Sequence, residues 1–202
     1  MREKLITAPA AYPVLLATVK AHCEVASDDT TFDAELNRLI AEKTKEVEAY
    51  TGRALISRKY EFYSDTWELD SEGVLVLPRP PVQSSEFAIQ YYDEEDTLQT
   101  WSSSLYQLDN VSEDEPSRVI PKSGYSFPTL YSRLNAVKIT ANCGYGSSES
   151  SIPPGIVGAI CVKIASRFAL REDQVIGSII SEVDAGSAAD RLLEDYRVRF
   201  FA

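Results

Sequence analysis

The residue pair best suited to covalent chemistry is His22-Cys23, where the sole histidine adjoins a cysteine and could in principle act as its base. Adjacent residues on a helix point about 100° apart, so the pairing is better explained as a half-buried helix end. Two acidic runs come next. Asp93 to Asp96 and Glu113 to Glu115 offer carboxylates that could hold a divalent cation or supply the acid and base of a glycosidase. Neither run has the alternating spacing and glycine of a calcium-binding loop, so solvated loop tips are the simpler reading. Gly144-Tyr145-Gly146 is too short for a nucleotide-binding loop and leads through serines to prolines, which suits a strand terminus. Leu77-Pro78-Arg79-Pro80-Pro81-Val82 could be a polyproline ligand, but between strands it more simply ends one and sets the course of the next.

Cys23, Cys143 and Cys161 are odd in number and lack paired spacing, so no zinc site or disulfide framework is expected and all three are read as reduced, buried thiols. No catalytic, metal-binding or cofactor-binding constellation emerges, and none is assigned.

The elements that must carry these residues follow from periodicity. Val14, Leu15 and Val19, with His22 on roughly the same face, predict a helix of about two turns begun near Pro13. Phe32, Leu36, Leu39, Ile40, Val47 and Tyr50 recur at helical spacing and predict a longer helix over about 30–51. Thr30 and Asp33 have capping-box spacing at its start, and Gly52 suits the left-handed position at its end. After Ile56 the chain turns β-branched and aromatic. Strands are expected around Tyr60 to Tyr63, Val74 to Leu77, Phe87 to Tyr91, Leu98 to Trp101, Leu105 to Leu108, Arg118 to Ile120 and Ala136 to Ala141. The Asp93 to Asp96 run then forms the tip of a hairpin. Pro153 and Pro154 open a further helix through Ile156, Val157, Ile160, Cys161, Ile164 and Phe168, to about Leu170. A linker from Val175 to Ser187 leads to a last helix carrying Ala189, Leu192, Leu193, Tyr196 and Phe200.

The fold class this implies is α+β: a helical bundle of N- and C-terminal helices with an inserted antiparallel β-rich domain. The divisions fall at 1–55 for the N-terminal helical part, 56–150 for the β-rich insertion and 151–202 for the C-terminal helical part.

With 202 residues and 44% hydrophobic composition the chain can build one ordinary core or two small ones. No apolar stretch approaches the roughly 20 residues of a membrane span, and Pro9 and Pro13 interrupt any signal-peptide core, so a soluble protein without export signal is expected. The net charge of -11 opposes a DNA-coating role, because nonspecific duplex affinity comes from Lys and Arg neutralising phosphates.

Several segments, taken in order, resemble the phage head-tail connector family in its longer form with a β-rich insertion. They are Pro13 to Val25, Val47 to Ile56 with Tyr50-Thr51-Gly52-Arg53 at its centre, Leu77 to Val82, Ile89 to Asp93, Tyr106 to Asp109, Asn135 to Ile139, Gly144 to Gly146 and Leu192 to Arg197. The resemblance implies a head-completion adaptor, without enzymatic activity, in the virion neck after assembly in the host cytoplasm. Its implied partners are the portal protein, a downstream stopper or tail protein, and itself as a ring of twelve copies. DNA would pass through the channel without specific binding, and no membrane is involved. The alternatives are another neck component, such as a stopper or tail-completion protein, and a phage cell-wall hydrolase using two carboxylates.

The C-terminal segment is the expected portal or subunit interface. Leu192, Leu193, Tyr196, Phe200 and Phe201 are apolar, and Arg191, Arg197 and Arg199 interleave with them in an otherwise acidic chain. Arg with aromatics is the composition of interface hot spots. The competing reading packs this helix on the Ile156 to Phe168 helix of the same subunit.

Overall fold

The computed structural model describes residues 1–111, 115–169 and 185–198, with side chains from 188 onward in the last of these stretches. Its contacts divide the chain into two units. One comprises Met1–Pro9 and Gly52–Tyr145 together with Val198, the other Ala10–Thr51 and Gly146–Arg197. The protein is of mixed α and β structure.

The helical unit contains α1 (Leu16–His22), α2 (Asp33–Thr51), α3 (Pro154–Ala169) and α4 (Ala185–Glu194). α2 buries Leu36, Leu39, Ile40 and Val47, the stripe its 3.6-residue period lays along one side. α3 buries Ile156, Ala159, Ile160, Cys161 and Ile164. α3 packs against both α2 and α4, and Phe32 meets Phe168 edge to face at 5.3 Å between centroids. Pro154 is the first helical residue of α3, a position where a missing amide proton costs nothing. The start of α2 differs from expectation. The Leu36 amide donates to the Phe32 carbonyl, which makes Phe32 the cap residue, while Asp29 Oδ1 takes the Thr31 amide in the preceding turn. Asp33 is held instead by an ion pair at 2.5 Å with Lys20, so the capping box gives way to a tertiary contact. The helix end matches expectation: Gly52 has φ +72°. Of the linker expected over 175–187, residues up to 184 lie outside the described ones and 185–187 open α4.

The β unit holds two antiparallel sheets. The larger runs in the order β1 (Arg2–Leu5), β2 (Arg58–Ser64), β8 (Val137–Cys143), β4 (Val82–Tyr92), β5 (Leu98–Trp101). The smaller runs β3 (Leu75–Val76), β7 (Arg118–Pro121), β6 (Tyr106–Asp109). Strand alternation decides what is buried. Phe62, Ile139, Ile89 and Trp101 lie in one row across four strands and all point into the core. Each such side chain contributes about 1.5–3 kcal/mol by leaving water. The next row, Tyr63, Lys138, Gln90 and Thr100, lies on the opposite face, where Lys138 pairs with Glu61 at 2.9 Å. An aromatic cluster fills one end of the core: Trp101 stands 4.9 Å from Tyr106, 5.3 Å from Phe127 and 5.7 Å from Trp67. The Trp67 indole N–H is satisfied by the Pro128 carbonyl at 2.8 Å.

β1 carries no sequence signature, because Arg2-Glu3-Lys4 is charged at every position and the strand is exposed throughout. It is held by its ladder to β2 and by Glu3, whose carboxylate accepts both Nε and Nη2 of Arg79 at 2.9 and 2.7 Å. That fork-to-fork contact, opposed by burial, keeps the Glu3 carboxyl below the usual range.

Candidate functional site

His22 is exposed on the last turn of α1, and Cys23 is the residue that closes that helix. Burial pushes the Cys23 thiol up, and it raises Cys161 to about 11 and Cys143 to about 12. A nucleophilic cysteine needs the opposite shift.

The acidic hairpin tip is occupied by its own turn. Asp93 Oδ1 accepts the amides of Thr97 and Glu95 at 2.9 and 3.2 Å, and Oδ2 accepts Gln99 Nε2 at 2.7 Å. These bonds hold the Asp93 carboxyl below its ordinary value. Asp96 pairs with Arg133 at 2.5 Å, and that guanidinium lies 3.6 Å over the Tyr92 ring. Of the second run, Glu113 and Asp114 lie outside the described residues, and Glu115 stands 3.9 Å from Arg118.

Gly144 is a strand terminus at a close approach. A Cβ there would lie 2.6 Å from the Ser57 amide nitrogen, and its φ is +130°. The proline run is integral to the β unit: Pro80 is buried, its carbonyl accepts the Ala54 amide at 3.3 Å, and the Pro81 carbonyl accepts the Gly144 amide at 2.8 Å.

The C-terminal residues divide between inside and outside. Leu193 is fully buried, Arg191 and Arg197 are exposed, and Leu192 keeps 45% of its surface in solvent. Tyr196 is half-buried and its ring comes within 3.0 Å of where a Cβ on Gly155 of α3 would stand. Tyr50 Oη donates to Glu194 at 3.1 Å, and the Arg197 guanidinium lies 5.4 Å over the Tyr50 ring. Arg199, Phe200 and Phe201 lie outside the described residues.

Three charged residues to which sequence reasoning assigned no role tie these helices together, and a fourth charge, that of Arg53, is buried. Glu149 reaches the Leu15 amide and accepts Thr18 Oγ1 at 2.9 Å, capping α1 from far along the chain. Lys20, nearly buried, joins Asp33 and the Asp29 carbonyl, the latter at 2.8 Å. Lys163 bridges Glu46 and Asp190 at 2.8 and 2.9 Å. Arg53 is completely buried in the β unit. Nothing local distinguishes these charges from exposed ones, except that Arg53 follows the helix-ending glycine.

Among the described residues, each unit has a groove open to solvent. In the helical unit, one of about 800 Å³ is lined by Tyr12, Leu15, His22, Val157 and Cys161 among others. In the β unit, one of about 580 Å³ is lined by Leu69, Val76 and Pro78 with Glu68, Glu72 and Arg118. Among the described residues no helix is long and apolar enough to cross a membrane.

No protein-family model matches the chain. No curated protein matches it either. Solved structures do. A chain in the neck of an empty gene transfer agent (GTA) particle, computed with C6 symmetry, matches over 100% of this chain and 98% of its own, with TM-score 0.75 and 21% identity. A chain of the native GTA virion covers the same shares at TM-score 0.76 and 20% identity. A chain in the neck of the native GTA particle, computed with C12 symmetry, gives 0.67 and 23%. At such identities the likeness is one of fold, and it extends through both units.

Proposed function

We propose that this chain is a structural neck component of a tailed phage or phage-like particle, specifically the connector that docks on the portal ring after DNA packaging and links the head to the next neck or tail component. The observation that carries the reading is the end-to-end likeness to chains of GTA necks, covering 100% of this chain and 98% of the chain matched. The ordered segments around Tyr50-Thr51-Gly52-Arg53, which resemble the head-tail connector family, support the same reading from the sequence. Under this reading the β-rich segment is an insertion between helical parts. Twelve copies form a ring, with the portal on one side and a stopper or tail protein on the other. The chain is not an enzyme: its cysteines are unactivated, and Asp93 and Asp96 are committed to the turn and to Arg133. A net charge of -11 suits a channel that DNA must cross without adhering, since negative walls repel phosphates.

Imaging virions made by the encoding genome, with the chain tagged, tests this. The expected result is a ring of twelve copies lying directly on the portal. A ring one layer further out would make it a stopper or tail-completion protein, and absence from the particle would refute the neck reading altogether.

A further inference from the structure

The five-stranded sheet ends, among the described residues, in β1 on one side and β5 on the other, and both edges are open to solvent. All four residues of β1 are exposed, as are Leu98, Gln99 and Thr100 of β5. In an antiparallel ladder, alternate residues turn their backbone groups toward the partner strand and away from it. The Ile6 amide donates to Lys59, so Arg2 and Lys4 also face β2, and Glu3 and Leu5 face outward. Tyr92 bonds Ala136 and Tyr131, on the side away from β5, so Leu98 opposite it, and Thr100 two residues on, face outward from β5.

Exposed edges of this kind recruit other strands unless charge blocks them. β5 has no charged residue, whereas β1 carries Arg2, Glu3 and Lys4. We propose that neighbouring copies of this chain join edge to edge, β5 of one beside β1 of the next and running parallel, so that the sheets form a continuous band around the ring. This rests on the neck reading for the ring itself.

Three features favour this occupant. β1 and β5 run in the same direction, because each of the four intervening pairings is antiparallel. Rotation about a ring axis preserves strand direction, so adjacent copies meet in parallel. The faces also match. In a parallel ladder an outward residue lies opposite the residue between two outward ones, which puts Thr100 or Leu98 opposite Lys4. Lys4 and Thr100 both belong to the face opposite the core row, by their positions beside Glu61 and Gln90. An antiparallel union of the same two edges would set Thr100 against Glu3 or Leu5, which belong to the other face, and so turn one copy's core face outward. Charge agrees as well: the exposed Glu94 and Glu95 precede β5 at the end of the sheet where Arg2 and Lys4 begin β1.

Cysteine pairs test the contact. Lys4→Cys is combined with Thr100→Cys, or with Leu98→Cys for the second register, since directly opposed strand residues are close enough for a disulfide. Both variants are oxidised in virions and as purified protein at high concentration. The expected result is a ladder of multimers on a nonreducing gel from the double variants and none from either single variant, with reduced melting temperatures unchanged. Leu98→Lys, which in the Thr100 register stands opposite Arg2 and sets two cations against each other, should abolish that ladder in the double-cysteine background with Thr100→Cys while the subunit stays folded. Dimers from a single variant would indicate two-fold pairing and overturn the proposal. A chain located in the neck whose double variants give no ladder would overturn the edge contact and leave the neck reading standing. A ladder from purified protein with the chain absent from virions would uphold the edge contact and sink the neck reading. No ladder in either setting defeats the proposal.

Discussion

Lys163 of α3 lies 2.8 Å from Glu46 of α2, and the same ammonium reaches Asp190 of α4 at 2.9 Å, so one cation ties three helices. Its side chain is only 10% exposed while each carboxylate is 40% exposed or more, which places the contact between a surface ion pair and a buried one. Lys163→Met should therefore lower the stability of the helical unit by about 1–2 kcal/mol. Urea titration would register this as a lower midpoint at unchanged slope.

Glu46 also makes the stability pH-dependent. Burial opposes its charge, but hydrogen bonds from Lys163 and Lys43 outweigh that and hold its carboxyl below 4.5. A carboxylate with a depressed folded pKa adds stability that is complete above its unfolded value and is lost as pH falls through the folded one. The urea midpoint should accordingly drop as pH is taken below about 4.5, and Glu46→Gln should flatten part of that slope. An unchanged slope in the variant would show that the depression is spread over the other paired carboxylates, among them Glu3, Glu61 and Asp109.

Gly144→Ala should cost about 2–3 kcal/mol, because the new methyl meets backbone atoms of Ile56 and Ser57 at 2.6–2.7 Å and the φ of +130° suits only glycine. Gly73→Ala serves as the control. Its φ is +77° with nothing within 4 Å, so only the left-handed strain of about 1 kcal/mol applies. Equal losses for the two would show that close approach adds nothing.

The contrast between these residues marks what sequence can reveal. Gly144, Gly52 and the Asp93 to Asp96 tip were legible because turn chemistry is local, and the strands from Tyr60 onward because their side chains alternate between core and solvent. Glu3, Glu149 and Lys163 were not, because their roles depend on partners 76, 134 and 117 residues away. β1 was invisible for a related reason: as an exposed edge it has no buried face to write an alternation, and only its ladder to β2 makes it a strand. Lys20 shows the limit most plainly, since it broke the apolar pattern of α1 while being among the most buried residues there.

On the proposed neck reading, His22→Ala and Cys23→Ser should each leave assembly into particles intact. His22 is exposed and Cys23 only half-buried, so the stability change should stay within about 1 kcal/mol. A folded, stable variant of either residue that blocked infection would reveal chemistry that the raised thiol argues against.

The last helix allows core and docking roles to be separated residue by residue. Leu193 is fully buried, so Leu193→Ala should cost about 2–4 kcal/mol, the range for a leucine removed from a packed interior. Leu192, one position earlier, lies about 100° around the helix and is 45% exposed, beside the exposed Arg191. Leu192→Asp should therefore change stability by no more than about 0.5 kcal/mol. If this outer face meets the portal, however, the charge must be desolvated against a partner, and the variant should stay folded yet fail to join portal-bearing heads. Deleting residues after Gly186 removes both faces at once and cannot tell the roles apart unless the remaining subunit keeps a cooperative thermal transition. The decisive comparison is thus between the two leucines, measured by thermal unfolding and by cosedimentation with portal-bearing heads. Normal binding by folded Leu192→Asp, with Leu193→Ala merely less stable, would confine the helix to its own subunit's core and remove the case for a portal contact on it.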